Sequence, residues 1–90
     1  MWKGTSRYAI GVGVHSIKKP DSWTKYLKVA NLVIHSEYER KTIQNDIALI
    51  KLEKPVEFDT KNFRVIPVCV PTESESFQDK TSYATGWGTL

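Results

Sequence analysis

The sequence predicts an all-β chain, and three observations carry that prediction. Apolar, β-branched and aromatic residues occur in short runs rather than at helical spacing. Glycine, proline and small polar residues separate these runs, as is typical of turns. No repeat or heptad pattern is present in the ninety residues, which are enough for one small domain and not for two.

The first predicted strand covers residues 8–15, where Gly11 and Gly13 interrupt a β-branched run. Glycine inside a strand indicates a bend or a close backbone approach. A polar loop follows at residues 16–24. The second predicted strand covers residues 26–34. A helix of that length is also possible, but the β-branched and aromatic content favours a strand.

The third predicted strand covers residues 47–52, which are apolar except at Lys51. Apolar side chains occur at both odd and even positions of the run. This predicts that other elements cover both faces of the strand. Asp46 stands directly before it, after a polar connection. Burying a carboxylate there is costly unless hydrogen bonds or a cation receive it. Asp46 is therefore either a turn or capping residue or a deliberately placed acid, and the residues alone favour the turn.

Prolines limit where strands can form in the rest of the chain. Pro55 ends the third strand because it removes a backbone donor. Residues 65–71 are apolar but contain two prolines, which predicts an extended edge segment or a linker rather than a central strand. Residues 72–80 are acidic and serine-rich and predict a surface loop. Residues 81–85 predict a last strand.

Composition and charge exclude two classes of partner. The net charge is +3 and the basic residues are spread out, with Lys18-Lys19 and Arg40-Lys41 as the adjacent pairs, so no basic stripe of the kind that binds nucleic acid is present. No apolar run is long enough to span a membrane. Lys3 and Arg7 could begin a signal peptide, but the apolar run after them is short and interrupted by glycines, so we expect no export signal within this sequence.

The single cysteine, Cys69, cannot form a disulfide within the chain. It is either a small buried apolar residue, as free cysteines often are, or a half-cystine whose partner lies elsewhere. Its neighbours Val68 and Val70 suit both interpretations.

Several ordered motifs together resemble the central part of a serine protease of the trypsin/chymotrypsin family. The strongest are Asn45-Asp46-Ile47-Ala48-Leu49-Ile50-Lys51-Leu52, Pro67-Val68-Cys69-Val70-Pro71 and Ala84-Thr85-Gly86-Trp87-Gly88. Two upstream stretches fit the same order, Gly13-Val14-His15 and Val33-Ile34-His35-Ser36-Glu37-Tyr38, with Ser36 where the family usually has proline. The resemblance covers nearly the whole chain, from about Tyr8 to Leu90.

The resemblance implies part of a double β-barrel with the active site between the barrels. Residues 1–90 would be a partial protease domain, with first-barrel strands in about 8–64, an inter-barrel linker and loop in 65–80, and the opening strand of the second barrel in 81–90. A part of a barrel exposes strand edges that closure would remove. We therefore expect incomplete packing at Val12, Leu49, Ile50 and Trp87.

The resemblance also assigns Asp46 the role of the triad aspartate, which orients the catalytic histidine. The family's histidine lies upstream in a Thr-Ala-Ala-His-Cys motif and its serine downstream in Gly-Asp-Ser-Gly-Gly, and neither motif occurs here. His15 and His35 match non-catalytic family positions. We therefore expect the ninety residues alone to be inactive.

Further family positions concern bridges and metals. Cys69 matches the cysteine that, in many members, tethers the catalytic domain to an activation segment, which implies a partner outside the chain. Ser82 replaces a usual cysteine, which implies the loss of that bridge. Val14 and Thr24 stand where some relatives bind calcium through glutamates, so we expect no calcium, and no other metal or cofactor.

The function implied is that of a segment of a serine endopeptidase, a secreted, extracellular hydrolase of protein or peptide substrates. The alternative is a non-catalytic, protease-like module that binds a protein through exposed barrel edges, or a decayed or truncated homologue.

Overall fold

The computed structural model describes residues 5–90 and shows an almost entirely β architecture. A short 3-10 turn at Thr5–Arg7 precedes strands β1 (Ala9–Val12), β2 (Lys25–Ile34) and β3 (Ala48–Leu52). The strands form one antiparallel sheet in the order β1-β2-β3. The all-β prediction is thus confirmed. Lys3, considered above as part of a signal peptide, lies outside the described residues.

A bulge in β2 determines which side chains share a face of the sheet. Val29 pairs with Leu52 and Asn31 with Lys51, so Ala30 is an extra residue between two pairs. Because side chains alternate between the two faces along a strand, one extra residue moves every following side chain to the opposite face. Val29 and Leu32 would point to opposite faces of a regular strand, and the bulge brings them to the same face.

Large parts of both faces of the sheet are exposed at the β2–β3 end. One face surrounds an apolar hollow of about 190 Å³, which is lined by Tyr8, Val29, Leu32, Ile34, Ala48 and Ile50. On the other face Val33 is paired with Leu49, and these side chains are 52% and 71% exposed. Val29, at 4%, is the buried apolar residue of the described part. The core of this sheet is therefore very small.

The whole chain exposes far more surface than a compact protein of its mass. Its accessible surface is 9132 Å², whereas a folded monomer of this mass exposes about 5,400 Å². Its radius of gyration is 15.7 Å, against about 12 Å for a compact domain of this length. The predicted packing deficit is confirmed at three positions, since Leu49, Ile50 and Trp87 are 71%, 47% and 61% exposed, and Val12 is half-buried. The sheet therefore exposes apolar side chains that a complete barrel would cover.

The two glycines of the first predicted strand behave as the sequence indicates. A Cβ on Gly11 would stand 3.0 Å from a methyl carbon of Val14 and 3.2 Å from the ring of Tyr26. Gly13 has a φ of 67°, and a Cβ at this position would stand 3.2 Å from the ring of Trp23. This left-handed conformation ends β1, which is why the strand is shorter than predicted.

Residues 53–90 contain no strand. Residues 65–71, predicted as an extended edge segment or a linker, are among them, and their assignment as an inter-barrel linker stays a prediction. For residues 81–85 the strand prediction is wrong, because a strand needs a neighbour to receive its backbone hydrogen bonds and no described strand lies beside this stretch. The indole Nε1 of Trp87 donates to the carbonyl of His15 at 3.1 Å, which holds the end of the chain near the end of β1. The assignment of residues 81–90 to a second barrel stays a prediction.

Residues 5–90 contain no helix that is both long enough and apolar enough to cross a membrane.

A tight turn at Asp59 organises the segment after β3. The Asp59 amide donates to the Val65 carbonyl at 2.8 Å, and the Phe63 amide donates to the Asp59 carbonyl at 3.0 Å. The Asp59 carboxylate accepts from the amides of Asn62 at 3.0 Å and Lys61 at 3.2 Å. The Asn62 amide, more than the other contacts, lowers the pKa of Asp59 below its ordinary value.

We expect this turn to lose stability in acid. A lowered folded-state pKa means that the stabilisation is complete above the unfolded-state pKa of about 3.9 and is lost as the pH falls through the lower folded-state pKa. The difference in unfolding free energy between the wild type and Asp59→Ala should therefore shrink below about pH 4. Urea unfolding over a pH series measures it, with Glu73→Ala in an exposed loop as control. A difference that grows in acid would contradict this assignment.

Candidate functional site

Asp46 lies at the centre of a three-residue turn that leads into β3. The Ile47 amide donates to the Asn45 carbonyl at 2.8 Å, which closes the turn around Asp46. The Asp46 side chain is exposed, and β3 begins two residues later at Ala48. The turn interpretation of this acid is thus correct for its backbone, and its carboxylate stays available at the surface.

A hydrogen-bonded loop supports this turn from the other side. The His35 amide donates to the Ile47 carbonyl at 3.1 Å and closes the base of the loop. The Glu39 amide donates to the Gln44 carbonyl at 3.0 Å near its tip. Because the loop is bonded at both places, the backbone around Asp46 is fixed by β2 on one side and β3 on the other.

Asn45 fixes the approach of the chain to Asp46. Its φ of 55° lies in the left-handed region, which asparagine adopts more readily than most residues. Its side-chain Nδ2 donates to the Glu37 carbonyl at 3.0 Å, across the loop. The sequence motif marked Asn45 only as a turn residue. The tolerance of asparagine for positive φ is the signal that could have identified it as a positioning residue.

We expect Asn45→Ala to destabilise the loop by about 1–2 kcal/mol, because alanine is strained in this conformation and makes no bond to Glu37. Asn45→Gly is the matched variant, since glycine adopts the same φ and lacks only the side-chain bond. Amide hydrogen exchange at Ile47 measures the local stability. Equal exchange rates in the alanine and glycine variants would show that the backbone conformation at residue 45 is unimportant.

Neither histidine pairs with Asp46. Nδ1 of His35 accepts a hydrogen bond from the Glu37 amide at 3.0 Å. His15 follows β1, and its carbonyl receives the indole of Trp87. Within residues 5–90 no hydrogen bond or salt bridge joins either imidazole to the Asp46 carboxylate. The Asp46 carboxylate is therefore exposed and accepts no hydrogen bond from either histidine in the described part.

Cys69 is exposed and forms no disulfide. Its neighbours Val68 and Val70 are 87% and 85% exposed. The interpretation of Cys69 as a small core residue is therefore wrong for this chain, because the extended segment around it is not packed against the sheet. The interpretation as a half-cystine stays a prediction.

Comparisons with known proteins agree with the motif order. The family model described as Trypsin matches residues 2–90. Serine protease filzig of Drosophila melanogaster is 37% identical over 62 residues, which are 69% of this chain and 4% of that protein. Chymotrypsin-C of Rattus norvegicus is 34% identical over 85 residues, 92% of this chain and 31% of that protein. Vitamin K-dependent protein C of Mus musculus is 27% identical over 90 residues, which are 96% of this chain and 19% of that protein. The chain thus spans less than a third of the length of each.

Proposed function

This chain belongs to the trypsin family of serine proteases, and from that membership we propose that it supplies the catalytic aspartate and a part of the first β-barrel to a serine endopeptidase. The observation that carries the proposal is the exposed carboxylate of Asp46, held at the entrance to β3 by a hydrogen-bonded loop. In the family order of motifs, this acid is the triad member.

The chemistry of such a triad explains why the backbone at Asp46 is fixed. Serine is a weak nucleophile at neutral pH and requires a base to take its proton. The histidine base must carry its proton on the ring nitrogen away from the serine, and the imidazolium that forms must be stabilised. A carboxylate that accepts from Nδ1–H meets both requirements, provided that it does not move relative to the ring.

The histidine and the serine of this mechanism come from outside the ninety residues. In the described part, His15 and His35 form no hydrogen bond or salt bridge with Asp46, and His35 already accepts a hydrogen bond from a backbone amide. The chain also lacks the glycine-rich sequence that surrounds the family's nucleophile. The ninety residues alone therefore carry out no hydrolysis, and their substrates in the assembled enzyme are proteins or peptides.

We infer that Cys69 joins this chain to the rest of an extracellular protease by a disulfide. It is exposed in an extended segment, so a disulfide to an activation segment or to another part of the protease would require no change in the sheet. Disulfides persist in oxidising compartments, which agrees with a secreted protein. The family's tether position coincides with this residue in the Pro-Val-Cys-Val-Pro motif.

An esterase assay tests the proposed division of roles. The purified ninety-residue chain is incubated with arginine, lysine and aromatic ester substrates. We expect no turnover from this chain and turnover from the gene product that contains the histidine and serine motifs. Turnover by the ninety residues that a serine-directed covalent inhibitor blocks would refute the proposal.

A further inference from the structure

The loop between β2 and β3 carries two adjacent basic residues at its tip. We call residues 36–45 the β2–β3 loop. Its tip lies beyond Glu39 and Gln44, which are joined by a backbone hydrogen bond of 3.0 Å from the Glu39 amide to the Gln44 carbonyl. Arg40 and Lys41 follow Glu39 directly, and both are exposed. An exposed lysine or arginine is the side chain that a protease with an acidic specificity pocket recognises.

The tip of the loop also holds a strained residue, Ile43. Its φ of 55° lies in the left-handed region, where a β-branched residue is a rare outlier. Such a conformation costs about 1–3 kcal/mol and persists only while the surrounding structure enforces it. The Ile43 side chain is 63% exposed, so packing offsets little of this cost. The closed loop therefore stores strain that opening or cutting the backbone releases.

The bond between Lys41 and Thr42 is better placed for cleavage than the bond before it. A protease takes its substrate as an extended strand whose backbone amides are free to bond with the enzyme. The Lys41 amide, which belongs to the preceding bond, donates to Oε1 of Glu39 at 3.1 Å. The same carboxylate stands next to Arg40 in the sequence and weakens its attraction to an acidic pocket. After Lys41 come Thr42 and Ile43, which carry no charge.

The other basic positions in the described part are less suited to cleavage. Proline follows Lys19 and Lys54 directly and stands two residues after Lys18, which restricts the backbone beside each bond. The amides that follow Arg7 and Lys61 donate hydrogen bonds within tight turns. The remaining positions lie in a strand, stack on an aromatic ring or directly follow an acid, namely Lys25, Lys28, Lys51, Arg64 and Lys80.

We propose that the Lys41–Thr42 bond is a site of limited proteolysis, cut by a separate endopeptidase that requires a basic residue before the bond. Water adds its hydroxyl group to the carbonyl carbon of Lys41 and a proton to the nitrogen of Thr42 as the C–N bond breaks. The proton of the new acid then passes to the new amine, which leaves a carboxylate and an ammonium group.

The cut removes the covalent support of the Asp46 turn on one side. Residues 42–45 become an arm that is attached only through β3. The hydrogen bond from Asn45 to Glu37 then joins two separate chain ends, so it must be formed at a greater cost in conformational entropy. The turn at Asp46 loosens, while β2 and β3 stay paired. An accompanying loss of hydrolysis would rest on the proposed function of Asp46, whereas the cut and the loosening do not.

Limited digestion tests the proposal on the complete gene product. The product is first treated with a covalent serine-directed inhibitor, so that it cannot cut itself, and excess inhibitor is removed before a small amount of trypsin is added. Mass spectrometry then identifies each new N-terminus. We expect Thr42 to be the first one that appears within these ninety residues.

Two variants test which side chain directs the cut. Lys41→Gln should slow the appearance of the Thr42 N-terminus at least about a hundredfold, because the cation that the protease recognises is missing. The Lys41 side chain is exposed, so the fold should persist. Lys18→Gln is the matched control, since Lys18 is an exposed basic residue of another loop, and the cut at Thr42 should keep its wild-type rate.

Amide hydrogen exchange of the cut product measures the effect on the Asp46 turn without relying on catalytic activity. We expect exchange at Ile47, whose amide closes the turn, to rise at least about tenfold. The Glu53 amide, which donates to the Lys28 carbonyl at 3.0 Å, should keep its rate. A first cut at another bond of the ninety residues, no cut within the β2–β3 loop, or an unchanged exchange rate at Ile47 would each overturn the proposal.

Discussion

Asp46→Asn in the complete protease domain is expected to lower kcat by about 10⁴-fold, which is the loss known for this change in the serine protease triad and is not calculated from the present geometry. The asparagine amide has nearly the same shape as the carboxylate. Its N–H group, however, favours the wrong tautomer of the histidine, so the imidazole can no longer accept the proton of the serine. The positive charge that forms on the ring also loses its partner.

The readout of this variant separates catalysis from folding. We expect KM to change little, because in the proposed triad Asp46 would contact the histidine and not the substrate. Asp79→Asn is the matched control, since Asp79 is also exposed, and its φ of 60° suits asparagine. It should retain full activity. A kcat within about threefold of the wild type in Asp46→Asn would remove Asp46 from the triad.

Val29→Ala is expected to lower the free energy of unfolding by about 2 kcal/mol. Val29 is 4% exposed and lies on β2, between β1 and β3. Removing two methyl groups takes away their burial and leaves a space that the sheet cannot fill. This is a large part of the stability of any small domain, so we expect Tm to fall by about 10 °C.

Val33→Ala is the matched control for this prediction. Val33 lies on the same strand and is 52% exposed, so the same truncation should change stability by less than about 0.5 kcal/mol. Urea unfolding of the full chain measures both variants. Equal losses in the two variants would show that Val29 is not the centre of the packing.

The strands could be predicted from the sequence because their residues satisfy local rules. β-branched and aromatic content located β2 within one residue at its start and at its end. The position of β3 followed from its apolar run, although its first predicted residue, Ile47, belongs to the turn. Such features depend on the residues themselves and need no knowledge of the neighbours.

Features that depend on a partner could not be predicted in the same way. The bulge at Ala30 exists only relative to the register of β3, and no local pattern marks it. The stretch 81–85 has strand-like residues but no described strand beside it, so it forms none. Asp46 could be located by its motif, whereas the bond from Asn45 to Glu37 depends on the folded loop.

The central claim is that these residues supply Asp46 to a serine protease whose histidine and serine lie outside them. Active-site labelling with a fluorophosphonate probe tests this claim most directly, with mass spectrometry to identify the labelled peptide. We expect no label on the ninety-residue chain. In the gene product that contains it, we expect one labelled serine outside these ninety residues, with labelling strongly slowed by Asp46→Asn. A label on any serine of the ninety residues, or an unlabelled complete product, would contradict this assignment.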